Sequence, residues 1–501
     1  MVIADAHTRS GPVRGTDNGQ VKVWKGIRYG APPVGDLRWR APVAPDPWTE
    51  IADATAFGPV SPQPKSPIPL GPGTRVDEDC LFLNVWAPSG AEAGAKNPVM
   101  VWVHGGAYIF GSGSQPLYDG QNLASRGDVV VVTLNYRMGA FGFLDLSGLE
   151  SGDQRFDTNL GLRDVLLALH WVKDNIAEFG GDPAQVTLFG ESAGAAIVTT
   201  LLTAPAAEGL FARAIAQSAP ATSVYDSARA KTVAELVLDR LGVSAADARS
   251  VPVDALVDAS FHAFEHVPTA TPGTLAYAPT VDGDLVPDYP VKLARAGKSH
   301  PVPLIIGTNR DEAALFRWMK SPLMPIAPKT IKAMFDEIAS EQPGLQLPSE
   351  AEIGSAYSGI RTKALGLHVA RDVGFRMPTV WFAEGHAQVA PVYLYRFDWT
   401  TPMLRLLRLG AAHATELPYV WGNLVMGAKD ITFKLGGLKP GMAVSARMQD
   451  RWIAFAKGES PWTGYDTTTR ATLVIDREDR VADDLDRGIR AAWGDEILSF
   501  R

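Results

Sequence analysis

Short apolar runs rich in β-branched residues punctuate the chain, and each one breaks on glycine or polar residues. Val99–Val103 runs into His104-Gly105-Gly106, and Val129–Leu134 into Asn135-Tyr136-Arg137. Val186–Phe189 meets Gly190, and Leu304–Ile306 meets Gly307. Runs with no polar alternation belong to strands covered on both faces, as in a parallel sheet. Helical spacing appears between them. From Asp164 to Ala177, Leu166, Leu167, Leu169 and Val172 share a face, and Asp164 is expected in the first turn, where a carboxylate suits the helix dipole. Strand–helix alternation predicts a doubly wound α/β sheet. The first fifty residues read instead as strands and turns, with Asp17-Asn18-Gly19 marking a hairpin. A proline-dense stretch over 59–73 reads as a rigid surface loop. Two alanine-rich helical stretches, about 227–270 and 320–377, are expected as insertions over the carboxyl edge of the sheet. No repeat or linker divides the pattern, so residues 1–501 are read as one domain.

Composition removes several function classes. The 501 residues are 46% hydrophobic and 20% charged, a globular balance. The 47 basic and 55 acidic residues give a net charge of -8, which argues against nucleic acid as a partner. Cys80 is the one cysteine, so no intrachain disulfide can form. It follows Asp77-Glu78-Asp79, an acidic setting that raises a thiol pKa, and reads as a small buried residue. No apolar run approaches the roughly 20 residues of a membrane span, and no signal segment is visible, so a cytoplasmic location is expected. Met403–Leu409, interrupted by Arg405 and Arg408, reads as a helix on the body or the rim of an apolar cleft.

Gly190-Glu191-Ser192-Ala193-Gly194 carries the chemistry. It follows a strand and opens a helical run, the context of a nucleophile elbow. The flanking glycines let neighbouring backbones approach, and the turn aims the Ser192 hydroxyl at a helix N-terminus. His104-Gly105-Gly106-Ala107, directly after a strand, suits an oxyanion hole built from the amides of Gly106 and Ala107, with Ala193 as third donor. His104 reads as a structural residue of that loop. A serine needs a base and an orienting acid, in the chain order serine, acid, histidine. His368 and His386 lie in helical patterns, whereas His413 stands in a loop beyond the strand Val392–Phe397 and is preferred. Asp311 and Glu312, after Leu304–Ile306, qualify equally as the acid by type and place. His262 and His266 have metal-binding spacing but no obvious third ligand, and Gly111-Ser112-Gly113 lacks the rest of a dinucleotide fingerprint. Neither a metal nor a cofactor is expected.

These motifs together resemble the type-B carboxylesterase family, which includes bacterial para-nitrobenzyl esterases and the cholinesterases. The resemblance runs through Lys25-Gly26-Ile27-Arg28-Tyr29-Gly30, Glu78-Asp79-Cys80-Leu81-Phe82-Leu83-Asn84-Val85, Phe179-Gly180-Gly181-Asp182-Pro183, the elbow and His413-Ala414-Thr415-Glu416-Leu417-Pro418. It implies an α/β-hydrolase fold and a serine esterase. It places the catalytic acid on Glu312 and the base on His413, and the oxyanion donors on Gly106, Ala107 and Ala193. It gives Glu191 an electrostatic or water-ordering role beside Ser192, and makes Ser218 a supporting serine. Cys80 matches the first half of a disulfide found in secreted members, and its partner is absent here. The expected substrate is a small ester, handled by a monomer, with a weak homodimer as the alternative. Carbamates, amides or synthetic polyesters would use the same acyl chemistry. A non-catalytic adhesion or scaffold homologue is the reading of another class, and every triad position is filled against it. Trp381, Phe382, Met403, Leu406 and Leu407 are candidates for the apolar lining, with core packing an equal reading.

Overall fold

The computed structural model describes residues 2–66, 69–149, 155–425, 427 and 430–501. One sheet runs through it. Its strands are β1 (Val2–His7), β2 (Pro12–Asp17), β3 (Val21–Arg28), β4 (Ala52–Asp53), β5 (Phe82–Pro88), β6 (Asn97–Val103) and β7 (Val130–Leu134). They continue as β8 (Gly181–Glu191), β9 (Arg213–Gln217), β10 (Leu304–Asn309), β11 (Val392–Phe397), β12 (Thr472–Ile475) and β13 (Arg480–Ala482). The spatial order is β1-β2-β3-β5-β7-β6-β8-β9-β10-β11-β12-β13, with β4 beside β2. From β7 to β12 every pairing is parallel, while the strands at both margins pair antiparallel, except β4, which runs parallel to β2. The Asp17-Asn18-Gly19 turn joins β2 to β3 as the sequence predicts. Asp17 accepts from the Gly19 amide, and Asn18 accepts from those of Gln20 and Val21.

The central strands lack polar alternation because both faces are covered. Along β6, Val99, Val101 and Val103 enter one core while Met100 and Trp102 enter the other. Strand β10 divides likewise, with Leu304 and Ile306 on one side and Ile305 on the other. The short strands β9 and β12 were passed over in the reading of the sequence, although β12 carries an apolar run, Leu473–Ile475, as long as that of β10.

One helix start is corrected. The helix runs Leu160–Asn175, so Asp164 lies more than a turn inside it and does not serve the dipole. It is fully buried and holds Arg137, whose guanidinium and backbone amide both donate to its carboxylate. The pair clamps the end of β7 to this helix.

Helices Ser227–Leu241 and Val253–Ala270 fill the first alanine-rich segment. Pro328–Glu341, Glu350–Ala356, Thr362–Arg371, a π-helical turn Asp372–Arg376 and Met377–His386 fill the second. Among the described residues, no helix is long and apolar enough to cross a membrane.

Candidate active site

Strand β8 ends at Glu191, and the helix Ala193–Leu201 begins two residues later. Ser192 makes the whole reversal, at φ 55° and ψ -122°, a strained conformation of the kind found at functional turns. The glycines beside it are steric necessities. A Cβ on Gly194 would sit 2.1 Å from the Val103 carbonyl oxygen, and one on Gly190 would sit 2.7 Å from the Gly194 backbone. The loop after β6 is as tight. Gly106 has φ 117°, and a Cβ there would lie 2.0 Å from the Phe110 carbonyl oxygen. Ala107 and Tyr108 follow, both left-handed. Among the described residues, the amides of Gly106, Ala107 and Ala193 donate to no protein acceptor.

The structure brings Ser192, His413 and Glu312 together. His413 Nε2 stands 2.9 Å from Ser192 Oγ, and its Nδ1 stands 2.6 Å from Glu312 Oε2. The other Glu312 oxygen accepts from the Ser218 hydroxyl and the Asn309 amide, each at 2.6 Å. Glu312 is completely buried, at 0% exposure, so these bonds replace its hydration. Geometry separates the two candidate acids. Asp311 points away, accepting from the Ala411 amide and pairing with Arg310. The rejected histidines are elsewhere: His386 bonds Ser299 and the Val302 carbonyl, and His368 lies on the helix Thr362–Arg371.

Charge around the imidazole is unbalanced. Burial pushes His413 down, but the carboxylates of Glu191 and Glu312 outweigh it and bring its pKa up to about 9. Burial likewise lifts Glu191, to about 8, helped by Glu416 and Glu312 and opposed by His413. Glu191 Oε1 comes within 3.1 Å of His413 Nε2 yet makes no hydrogen bond, while the Ser192 hydroxyl lies 2.9 Å from the same nitrogen. Phe375 and Phe316 pack on the imidazole, with ring centroids 4.6 and 5.2 Å away.

Several members of the site escape a reading of the sequence. Asn309 donates to the Ala412 carbonyl and to Glu416, tying the acid loop to the histidine loop. Glu416 also accepts from Gln217, which in turn accepts from Trp452. Glu416 stands within the His413–Pro418 stretch, so proximity was its only signal. None of the five lining candidates faces the serine's pocket, and for two of them the alternative, core packing, holds. Trp381 and Phe382 lie in the main core, and Leu406 is 68% exposed. Met403 and Leu407 do not line the serine's pocket either. That pocket, about 850 Å³ with its open mouth, is walled by Leu323, Met324, Met334, Ile338 and Phe375 from the second helical segment, with Phe500 from the C-terminus. For Cys80, burial is the main cause of its raised pKa, followed by Asp164, while Glu78 and Asp79 are paired with Arg38 and Arg28.

The model of the carboxylesterase family matches residues 4–486. The chain belongs to the carboxylesterase family. This esterase is 38% identical to a para-nitrobenzyl esterase of Bacillus subtilis over 500 residues, covering 95% of this chain and 96% of the relative. It is 33% identical to a phenmedipham hydrolase of Pseudarthrobacter oxydans, covering 96% and 97% of the two chains. A solved Geobacillus stearothermophilus carboxylesterase superposes with a TM-score of 0.84 at 37% identity, covering 98% of this chain and all of that one. The fold is that of the α/β hydrolases, and the esterase is a carboxylic-ester hydrolase, as the resemblance implied.

Proposed function

We propose that the enzyme hydrolyses small neutral esters through an acyl-enzyme on Ser192. His413 takes the hydroxyl proton as the oxygen attacks the ester carbonyl. Glu312 fixes the imidazole with Nδ1 protonated and stabilises the imidazolium that forms. The carbonyl oxygen becomes an oxyanion, for which the unengaged amides of Gly106, Ala107 and Ala193 are the donors. His413 returns its proton to the departing alkoxide, and water, activated the same way, frees the acid. Ser218 holds Glu312 in place. Above its pKa of about 8, Glu191 adds negative charge beside the imidazolium. The observation that carries this reading is the unbroken contact chain Glu312–His413–Ser192, at 2.6 and 2.9 Å.

The apolar pocket suits an uncharged acyl group. We take 1–501 as one domain in which the segments at about 227–270 and 320–377 form a cap over the site. The lone, buried Cys80 fits a reducing cytoplasm, and a monomer is the expected state; fractionation and sedimentation velocity check these two. Ser192→Ala tests the chemistry. Turnover of a short-chain p-nitrophenyl ester should fall by at least about 10⁴-fold, and turnover near wild type would overturn the assignment.

A further inference from the structure

A second cavity lies behind the catalytic loops, and its chemistry differs from that of the ester pocket. Five arginines line it: Arg310, Arg317, Arg371, Arg405 and Arg408. The cavity holds about 700 Å³ with its mouth, and Asp311 is the one carboxylate among its lining residues. In a chain of net charge -8, five guanidinium groups at one cavity are a strong local departure. Two of them are satisfied, Arg310 by Asp311 and Arg371 by Asp372. The other three have no carboxylate partner among the described residues. Arg317 reaches only the Arg408 carbonyl at 3.4 Å, and Arg405 only that of Thr400 at 3.3 Å. Arg408 makes no side-chain hydrogen bond or ion pair with any described residue.

Arg408 sits in the left-handed region at φ 58°, a conformation that costs a side-chain-bearing residue and suits glycine. The chain accepts this strain two residues before Gly410 and presents a cation there. Arg317, Arg405 and Arg408 are exposed to solvent, so an anion would meet them at the cavity mouth, where their shared positive field favours its binding. Guanidinium groups match carboxylate and phosphate oxygens in bidentate pairs. Leu367, Leu409 and Ala314 give the cavity an apolar wall as well.

We propose that this cavity binds a small multivalent oxyanion, a di- or tricarboxylate or a phosphate ester with a compact carbon body. Its position couples it to the catalytic centre. One helix, Ala313–Met319, turns Ala313, Ala314 and Arg317 to this cavity and Phe316 to the ester pocket. The next layer behaves alike, with His368 and Arg371 on this side and Phe375 on the other. The two phenylalanines are those packed on His413. Asp311 also exchanges hydrogen bonds with Ala411, two residues before His413. An anion that draws Arg310 from Asp311 therefore acts on the loop carrying the base.

Isothermal titration of the whole enzyme with citrate and with pyrophosphate, at constant ionic strength, tests the proposal. Saturable one-site binding is expected for at least one of them, and the tighter one assigns carboxylate or phosphate chemistry. Arg405→Gln with Arg408→Gly should weaken it about tenfold or more. The glycine relieves the left-handed strain, so this variant removes charge without endangering the fold, which its unliganded unfolding midpoint checks. Absence of saturable binding to the wild type by either anion, or affinity within about threefold in the double variant, would overturn the proposal.

Discussion

His104 and His413 are both buried, both beside aromatic rings, and both on loops that flank Ser192. Their chemistry is opposite. Burial pushes His104 down to about 4, opposed by the Gly105 carbonyl that its ring contacts. His413 is as enclosed and is held up at about 9 by two carboxylates. A buried imidazole is thus neutral scaffolding or a strong base according to what faces it, and burial alone does not tell them apart. The His104 loop works through backbone: its carbonyl accepts from Tyr136, and its stacked ring keeps Gly105-Gly106 close to the elbow.

Exchanging the two histidines in turn is the hardest test of that contrast. His413→Asn should lower kcat by at least about 10⁴-fold with the fold retained by circular dichroism. His104→Asn should cost about 2 kcal/mol of unfolding free energy, measured in urea, and leave the pH–rate limb where it stands. If both changes abolished activity equally, the division between base and scaffold would fail. Glu312→Gln comes next. It should lower kcat about 10³-fold or more, because an amide no longer selects the imidazole tautomer or stabilises its charged form. Gly194→Ala should destabilise the enzyme by about 3 kcal/mol, since the new Cβ would strike the Val103 carbonyl and crowd that of His104. An unchanged unfolding midpoint would show that the elbow does not need this close approach.

The smallest effect concerns Glu191. The base must be neutral to work, so activity rises with pH through the pKa of His413. Glu191 raises that pKa, so Glu191→Gln lowers it and moves the acidic limb of kcat/KM to lower pH, by up to about one unit. A limb that stayed put, or moved up, would show that Glu191 does not act on the imidazole through charge.

Legibility in the sequence followed the range of the interaction. The elbow and the glycine loop were readable because their glycines mark close backbone approach: a Cβ at Gly190 or Gly106 collides with backbone of its own motif or loop, and one at Gly194 with the end of β6. The buried strands were readable because coverage on both faces leaves a mark in every residue. Asp164 was misplaced because its partner, Arg137, is distant in sequence, and a carboxylate near a helix start looks the same whether it faces the dipole or a buried guanidinium. Asp311 and Glu312 could not be separated by type. What separates them is which one reaches Ser218, Asn309 and His413 across three loops. The pocket wall was least legible. Trp381 and Phe382 are as apolar as Met334 and Phe375, and only the packing of the second helical segment decides which pair faces Ser192.

The central claim is that His413, oriented by Glu312, makes Ser192 the one acylated residue. A fluorophosphonate probe followed by peptide mapping tests it most directly, on the wild type and on His413→Asn. A single adduct on Ser192 in the wild type, formed at least about 10³-fold more slowly in the variant, is the predicted result. An adduct on another residue, or labelling of the variant at the wild-type rate, would contradict it.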